Sequence, residues 1–91
     1  MTFGEAIEYC KKGKKIFREG WNGKNMFVCY QPGSEVNGSM MRNEPAKKYF
    51  GDKTVKIMPH LDMKAADDTY VVGWQASQTD MLADDWKISL D

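Results

Sequence analysis

Cysteine is scarce in this chain: Cys10 and Cys29 stand 19 positions apart with no Cys-x-x-Cys, so neither a disulfide framework nor a four-ligand zinc site can be built. Two buried thiols in a reducing compartment are the simpler expectation. Histidine occurs once, as His60 beside Pro59, and no nucleophile or metal motif surrounds it; it reads as a loop residue. No run of about 18 apolar residues occurs, and the opening MTFGEAIEYCKKGKK is amphipathic rather than leader-like. The expectation is a protein that is neither secreted nor membrane-spanning. Net charge is also lacking, with thirteen basic against thirteen acidic residues. That balance argues against binding a nucleic-acid polymer, which needs many uncompensated cations.

The charge that is present is unevenly spread. Residues 1–60 hold eleven Lys/Arg against six Asp/Glu, a net of +5, and residues 61–91 hold two against seven, a net of −5. Opposite-signed halves favour contact with each other, within or between subunits. At 91 residues the chain has room for one domain, 1–91, burying about 60–65% of its unfolded surface, which is marginal for a monomer. Eleven aromatics and seven methionines are more than so small a core can hide, so some belong to an interface or pocket.

Local signals predict an α+β fold: an N-terminal helix packed on a small antiparallel β-sheet, a long central loop over 32–54, and a short helix before the last strand. Thr2-Phe3-Gly4-Glu5 is a capping box, after which Phe3, Ala6, Ile7 and Cys10 share one helical face. The helix is expected over 3–12, stopped by Gly13. Lys15–Arg18 and Met26–Tyr30 read as strands of a hairpin turning at Asn22-Gly23. Thr69–Trp74 reads as a strand apolar on both faces, as does the Met26–Tyr30 strand. Trp86, Ile88 and Leu90 alternate with Lys87, Ser89 and Asp91 as in a one-sided strand. One helix covers one sheet face, so a partner subunit is the simplest cover for the other. Within the central loop Asn43 caps a short helix at Pro45–Phe50; a connection this long is usually functional or part of an interface. Ser77-Gln78-Thr79-Asp80 is a second capping box, opening a helix through Ala83.

Candidate chemistry is sparse. Ser77 lacks the Gly-x-Ser-x-Gly context of a nucleophile elbow. Asp67-Asp68 and Asp84-Asp85 are adjacent pairs that do not converge on one substrate bond; the first reads as a solvated turn. Gly20-Trp21-Asn22-Gly23-Lys24 lacks the spacing of a phosphate-cradling loop. What remains is three tryptophans, Trp21, Trp74 and Trp86, each beside short polar segments, the composition of a nucleobase or sugar pocket. Core tryptophans at strand ends would give the same pattern.

The segments TFGEAIEYCKKGKKIFREGWNGK, MFVCYQPGS and, most specifically, VVGWQASQTDMLADDWKI closely resemble the Thoeris anti-defence two family, small proteins often encoded by phages. The resemblance spans nearly the whole chain and is weakest between Asn37 and Lys56. It implies a sponge: a protein that sequesters the glycocyclic ADP-ribose signal of a bacterial TIR-domain enzyme in the cytoplasm of the bacterial host, without covalent chemistry and without a cofactor. It also implies homotetramers of α+β subunits with ligand sites between protomers. Some relatives bind cyclic oligonucleotides, and the residues leave that open here. Carried onto matching positions, Trp21 and Trp74 would stack on the ligand. Asn22, Ser77, Gln78, Asp80 and Asp84 would meet ribose hydroxyls and the base edge, and Arg18 the pyrophosphate. No catalytic or metal-ligating residue is expected. Two other readings stay open: an inhibitor that binds a host protein through the same aromatics, and an enzyme cleaving a cyclic nucleotide, for which no nucleophile or base is evident.

Overall fold

A computed structural model describes residues 1–89. Leu90 and Asp91, the last positions of the expected alternation, lie outside the described residues. The first helix, α1 (Phe3–Lys11), starts where the capping box places it: Thr2 Oγ1 accepts the Glu5 N–H at 3.2 Å and Glu5 Oε1 accepts the Thr2 N–H at 2.9 Å. Gly13, at φ 98°, ends it, in the left-handed conformation that glycine adopts without cost. The face carrying Ala6 and Cys10 is fully buried.

That face packs on a five-stranded antiparallel sheet in the order β6-β5-β2-β1-β7, built from β1 (Ile16–Arg18), β2 (Phe27–Gln31), β5 (His60–Lys64), β6 (Tyr70–Val72) and β7 (Trp86–Ile88). The register aligns Val71, Met63, Val28, Ile16 and Ile88 in one row across the sheet. Ile16, Val28 and Met63 of that row form the core with Ala6, Cys10 and Trp86. By strand alternation Phe17, Phe27, Cys29 and Tyr70 point to the opposite face. Among the described residues no element covers that second face to the extent that α1 covers the first, and β6 is exposed on all three residues. The two-sided apolar pattern is therefore real in sequence, but the buried apolar residues of this sheet among those described, Ile16, Val28, Met63 and Trp86, belong to one side.

Residues 34–57 fold into a separate arm. Here β3 (Ser34–Asn37) and β4 (Thr54–Ile57) pair antiparallel, joined through a 3-10 turn at Gly38–Met40 and helix α2 (Glu44–Phe50). The expectation of one long loop over 32–54 is corrected: only the Asn43 cap and the short helix stand as expected, Asn43 Oδ1 accepting the Ala46 N–H at 3.0 Å. Both arm strands are mostly solvated, with Val55 their one buried residue; Thr54-Val55-Lys56-Ile57 alternates over only four residues, the shortest form of that signal, and Ser34–Asn37 offers Val36 alone.

Three further expectations change. His60 is not a loop residue; it opens β5, the strand between β2 and β6. The hairpin between β1 and β2 does not turn tightly at Asn22-Gly23: the left-handed residue is Asn25, at φ 59°, whereas a tight two-residue turn would need positive φ at Asn22 and Gly23. Gly23 is required for closeness instead, since a Cβ there would meet Ala66 Cβ and Met26 Sδ at 2.6 Å. The Thr69–Trp74 strand is shorter than expected, because Gly73, at φ 76°, turns the chain out of the sheet. The last helix, α3 (Gln78–Leu82), begins at its capping box, with the Asp80 N–H donating to Ser77 Oγ at 3.0 Å.

Candidate functional site

The first turn of α3, the end of β1 and the start of β7 meet around one guanidinium. Arg18 donates from Nη1 to Asp80 Oδ1 and from Nε to Asp85 Oδ1, each at 2.8 Å, with the side chains of Arg18 and Asp80 only 15% and 14% exposed. Such charge-assisted bonds are short and directional. Asp80 Oδ1 also accepts the Trp21 indole N–H at 3.1 Å, and its backbone carbonyl accepts that of Trp86 at 2.9 Å. Asp85 Oδ2 accepts the Gly20 N–H at 2.8 Å. Burial pushes the Asp80 carboxyl up, but its bonds from Arg18, Trp21 and Ser77 outweigh that and hold it below the usual range. The Arg18 hydrogen bond, opposed by slight desolvation, holds Asp85 low as well. Reciprocally, Asp85 and then Asp80 raise the Arg18 guanidinium.

Three indoles lie on this frame, meeting edge to face: Trp21 and Trp86 at 5.3 Å, Trp21 and Trp74 at 6.3 Å, Trp74 and Trp86 at 6.5 Å. Trp86 is a core residue, 1% exposed and backed by Phe3 at 5.0 Å. Trp21 and Trp74 are half-buried. Of the residues singled out from sequence, Arg18, Trp21, Trp74, Ser77 and Asp80 are thus brought together. Asn22, Gln78 and Asp84 are exposed on the loops and helix start around them. Asp85 was missed. Its neighbour in sequence is no guide, because its partner Arg18 lies 67 positions away.

On the other face of the sheet lies a cleft of about 530 Å³, lined in part by Lys15, Phe17, Arg18, Trp21, Phe27 and Lys64. Its volume falls within the usual range for small-molecule sites. Arg18 and Trp21 belong to both this cleft and the tryptophan frame. Lys15 Nζ stands 4.8 Å over the Phe27 ring. Lys64, cross-strand partner of Phe27, bonds the Asn25 carbonyl at 3.0 Å and Asp68 at 2.6 Å.

A third cluster sits beside Trp74. Asp62, 2% exposed, accepts the Gly73 N–H at 3.0 Å and lies 3.4 Å from His60 Nε2. Tyr70 Oη contacts Cys29 Sγ at 3.2 Å and accepts from Gln31 Nε2 at 3.3 Å. Burial pushes Asp62 up, yet donors from Gly73, Tyr70 and Gln31, with His60 nearby, hold it below its ordinary value. The Cys29 contact and burial together push Tyr70 up to about 12. This clamp fixes the turn from which Trp74 emerges, and the Trp74 N–H closes it by donating to Leu61 O at 2.7 Å.

The family model of the Thoeris anti-defense 2-like domain matches residues 1–89. The chain belongs to the Thoeris anti-defense 2 family. Among its relatives, Thoeris anti-defense 2 of Bacillus phage SP01 is 37% identical over 94 residues, covering 97% of this chain and 93% of that protein. Membership gives this chain an anti-Thoeris function, one that does not by its description point to catalysis. Among the described residues no three His, Cys, Asp or Glu side chains gather as a metal site, and no helix is long and apolar enough to cross a membrane.

Proposed function

We propose that this anti-Thoeris protein acts as a sponge: it binds glycocyclic ADP-ribose in the host cytoplasm and withholds it from the Thoeris effector without degrading it. The observation that supports this most is the pair of half-buried indoles, Trp21 and Trp74, held on a hydrogen-bonded Arg18–Asp80–Asp85 frame. Rings fixed before the ligand arrives lose little entropy on binding, which is what tight ground-state binding needs. In this reading Trp21 and Trp74 stack on the ligand, each base contributing about 1–3 kcal/mol. Asn22, Ser77, Gln78, Asp80 and Asp84 meet ribose hydroxyls and the base edge. Arg18, whose Nε and Nη1 are engaged, turns Nη2 to the pyrophosphate.

Competing with a receptor at nanomolar affinity takes about 12 kcal/mol, more than one chain's exposed rings supply. The sites are therefore shared between copies in a homotetramer, with the exposed β6 and the open sheet face as interface. Replacing Trp21 or Trp74 by Ala then weakens ligand binding by at least about tenfold while particle size is kept. Calorimetry with glycocyclic ADP-ribose, run beside light scattering, checks this. If either variant dissociates or unfolds with no separable binding defect, that ring serves the core and not the ligand.

A further inference from the structure

We infer that Asp62 is the positioning residue of the Trp74 ring: its carboxylate, by holding the Gly73 N–H, sets the turn that aims Trp74 at the ligand. The inference rests on the sponge reading for that ligand, whereas the positioning itself belongs to the free protein. Asp62 is the one buried charged residue among those described, 2% exposed in the middle of β5. A carboxylate is far more costly to desolvate there than the Val or Thr that suits a strand, so its presence calls for a task that a neutral side chain does not perform. The sheet sets no such task. Asp62 pairs with Cys29 of β2 and Val72 of β6, and those ladders are made by backbone groups that every residue but proline carries.

What the side chain alone does is reach past the end of β6. With Asp62 opposite Val72, the ladder would next set Gly73 against Leu61. The Leu61 carbonyl is taken instead by the Trp74 N–H at 2.7 Å, and the Gly73 N–H finds its acceptor in Asp62 Oδ1 at 3.0 Å. A Cβ at Gly73 would meet nothing within 4 Å, so glycine is needed there for the left-handed φ of 76° alone. Conformation and carboxylate thus serve the same turn. Trp74 depends on that turn more than the other indoles do. Trp21 and Trp86 are pinned through their indole N–H groups to the side chain and the carbonyl of Asp80, but among the described residues no acceptor meets the Trp74 indole N–H. Its ring is placed by its backbone and by edge contacts with Trp21 and Trp86 at 6.3 and 6.5 Å. Without Asp62 the turn hangs on the Leu61 carbonyl, and the ligand must order the ring at a cost in affinity.

The test substitutes Asp62, which is enclosed, and leaves Tyr70 and Gln31, which reach the face assigned to assembly. Asp62→Val removes the acceptor and suits a strand; Asp62→Asn keeps an oxygen for the Gly73 N–H. Unfolding midpoint, particle size, the indole N–H resonances of the free protein and calorimetry with glycocyclic ADP-ribose are measured on the full chain. Asp62→Val is expected to keep midpoint and size, because the donors it frees at Gly73 and Tyr70 are exposed and meet water. It broadens the Trp74 indole signal while that of Trp86 stays sharp, and weakens binding about two- to tenfold, less than Trp74→Ala does. Asp62→Asn restores signal and affinity. Gly73→Val, which forbids the left-handed turn, gives the same losses with Asp62 intact, and the double variant is no worse than either single one. The inference is overturned if Asp62→Val leaves signal or affinity at the wild-type value, or if Asp62→Asn fails to restore them. A midpoint or size that falls with the affinity also overturns it, since Asp62 then serves the fold, as do losses at Asp62 and Gly73 that add. Failure of the sponge reading looks different: the Trp74 signal responds to Asp62, but the wild-type protein does not retain glycocyclic ADP-ribose.

Discussion

Asp80 ties α3 to β1, to the β1–β2 connection and to β7. It is the third residue of α3, the acceptor for Arg18 and Trp21, and by its carbonyl the acceptor for Trp86. Asp80→Asn keeps the shape but weakens the ion pair, and unfolding in denaturant should show a loss of about 1–3 kcal/mol at neutral pH. The pH dependence follows from the lowered carboxyls of Asp80 and Asp85. Their stabilisation is complete above the ordinary value of 3.8 and is lost as pH falls through their lower folded values. Wild type should therefore lose stability steeply below about pH 4, and Asp80→Asn should show a shallower acid limb; equal slopes would contradict the assignment. Thiol reactivity gives a second residue-level check. Burial, with a smaller contribution from Cys29, pushes the Cys10 thiol up to about 11, and the side chain is fully enclosed. A thiol reagent should label Cys10 only on unfolding, and labelling of Cys10 in the native protein would contradict its burial.

Elements whose instructions are local were legible in the chain. The capping boxes at Thr2 and Ser77 and the Asn43 cap each specify a helix start within four residues, and all three helices begin there. The strands divide by a different rule. β1, β2 and β7 carry buried residues that alternate with others, whereas β5 hides a carboxylate in its middle. Asp62 is tolerable there only because Gly73, Tyr70 and Gln31 donate to it from elsewhere in the fold, and no pattern within His60–Lys64 announces those donors. The arm was hidden because its strands bury almost nothing. The candidate site divides likewise: Trp21 and Trp74 stand out as residues, but Asp85 and the cleft beside Phe17 and Phe27 become visible only once the register is known. The arm's independence is itself testable. A Cβ at Gly38 would meet Gly51 O and Phe50 Cβ at 2.6 Å, so Gly38→Ala should disorder residues 34–57 while amide spectra of the five-stranded sheet stay in place. Collapse of both sets of signals would show that arm and sheet form one cooperative unit.

For the whole molecule, the uncovered sheet face and the solvated edge strand β6, where Val72 is 70% exposed, predict assembly. A sheet edge with unpaired donors and acceptors beside exposed valines is stable in solution only when blunted or covered. Light scattering at micromolar concentration should report a tetramer, and a monomer would remove the shared-pocket account. The central claim, sequestration without chemistry, has a more direct test. A sponge binds the ground state, whereas catalysis needs groups that favour the transition state. In this frame the carboxylates are committed to Arg18, and His60 is turned to Asp62 and the Met58 carbonyl, 2.9 Å from its Nδ1. Incubating the protein with equimolar glycocyclic ADP-ribose should deplete the free signal, and heat-denaturing the complex should return it with unchanged mass and full activity on the effector. Hydrolysis products, or consumption of more than one ligand per site, would contradict the account and make this protein an enzyme.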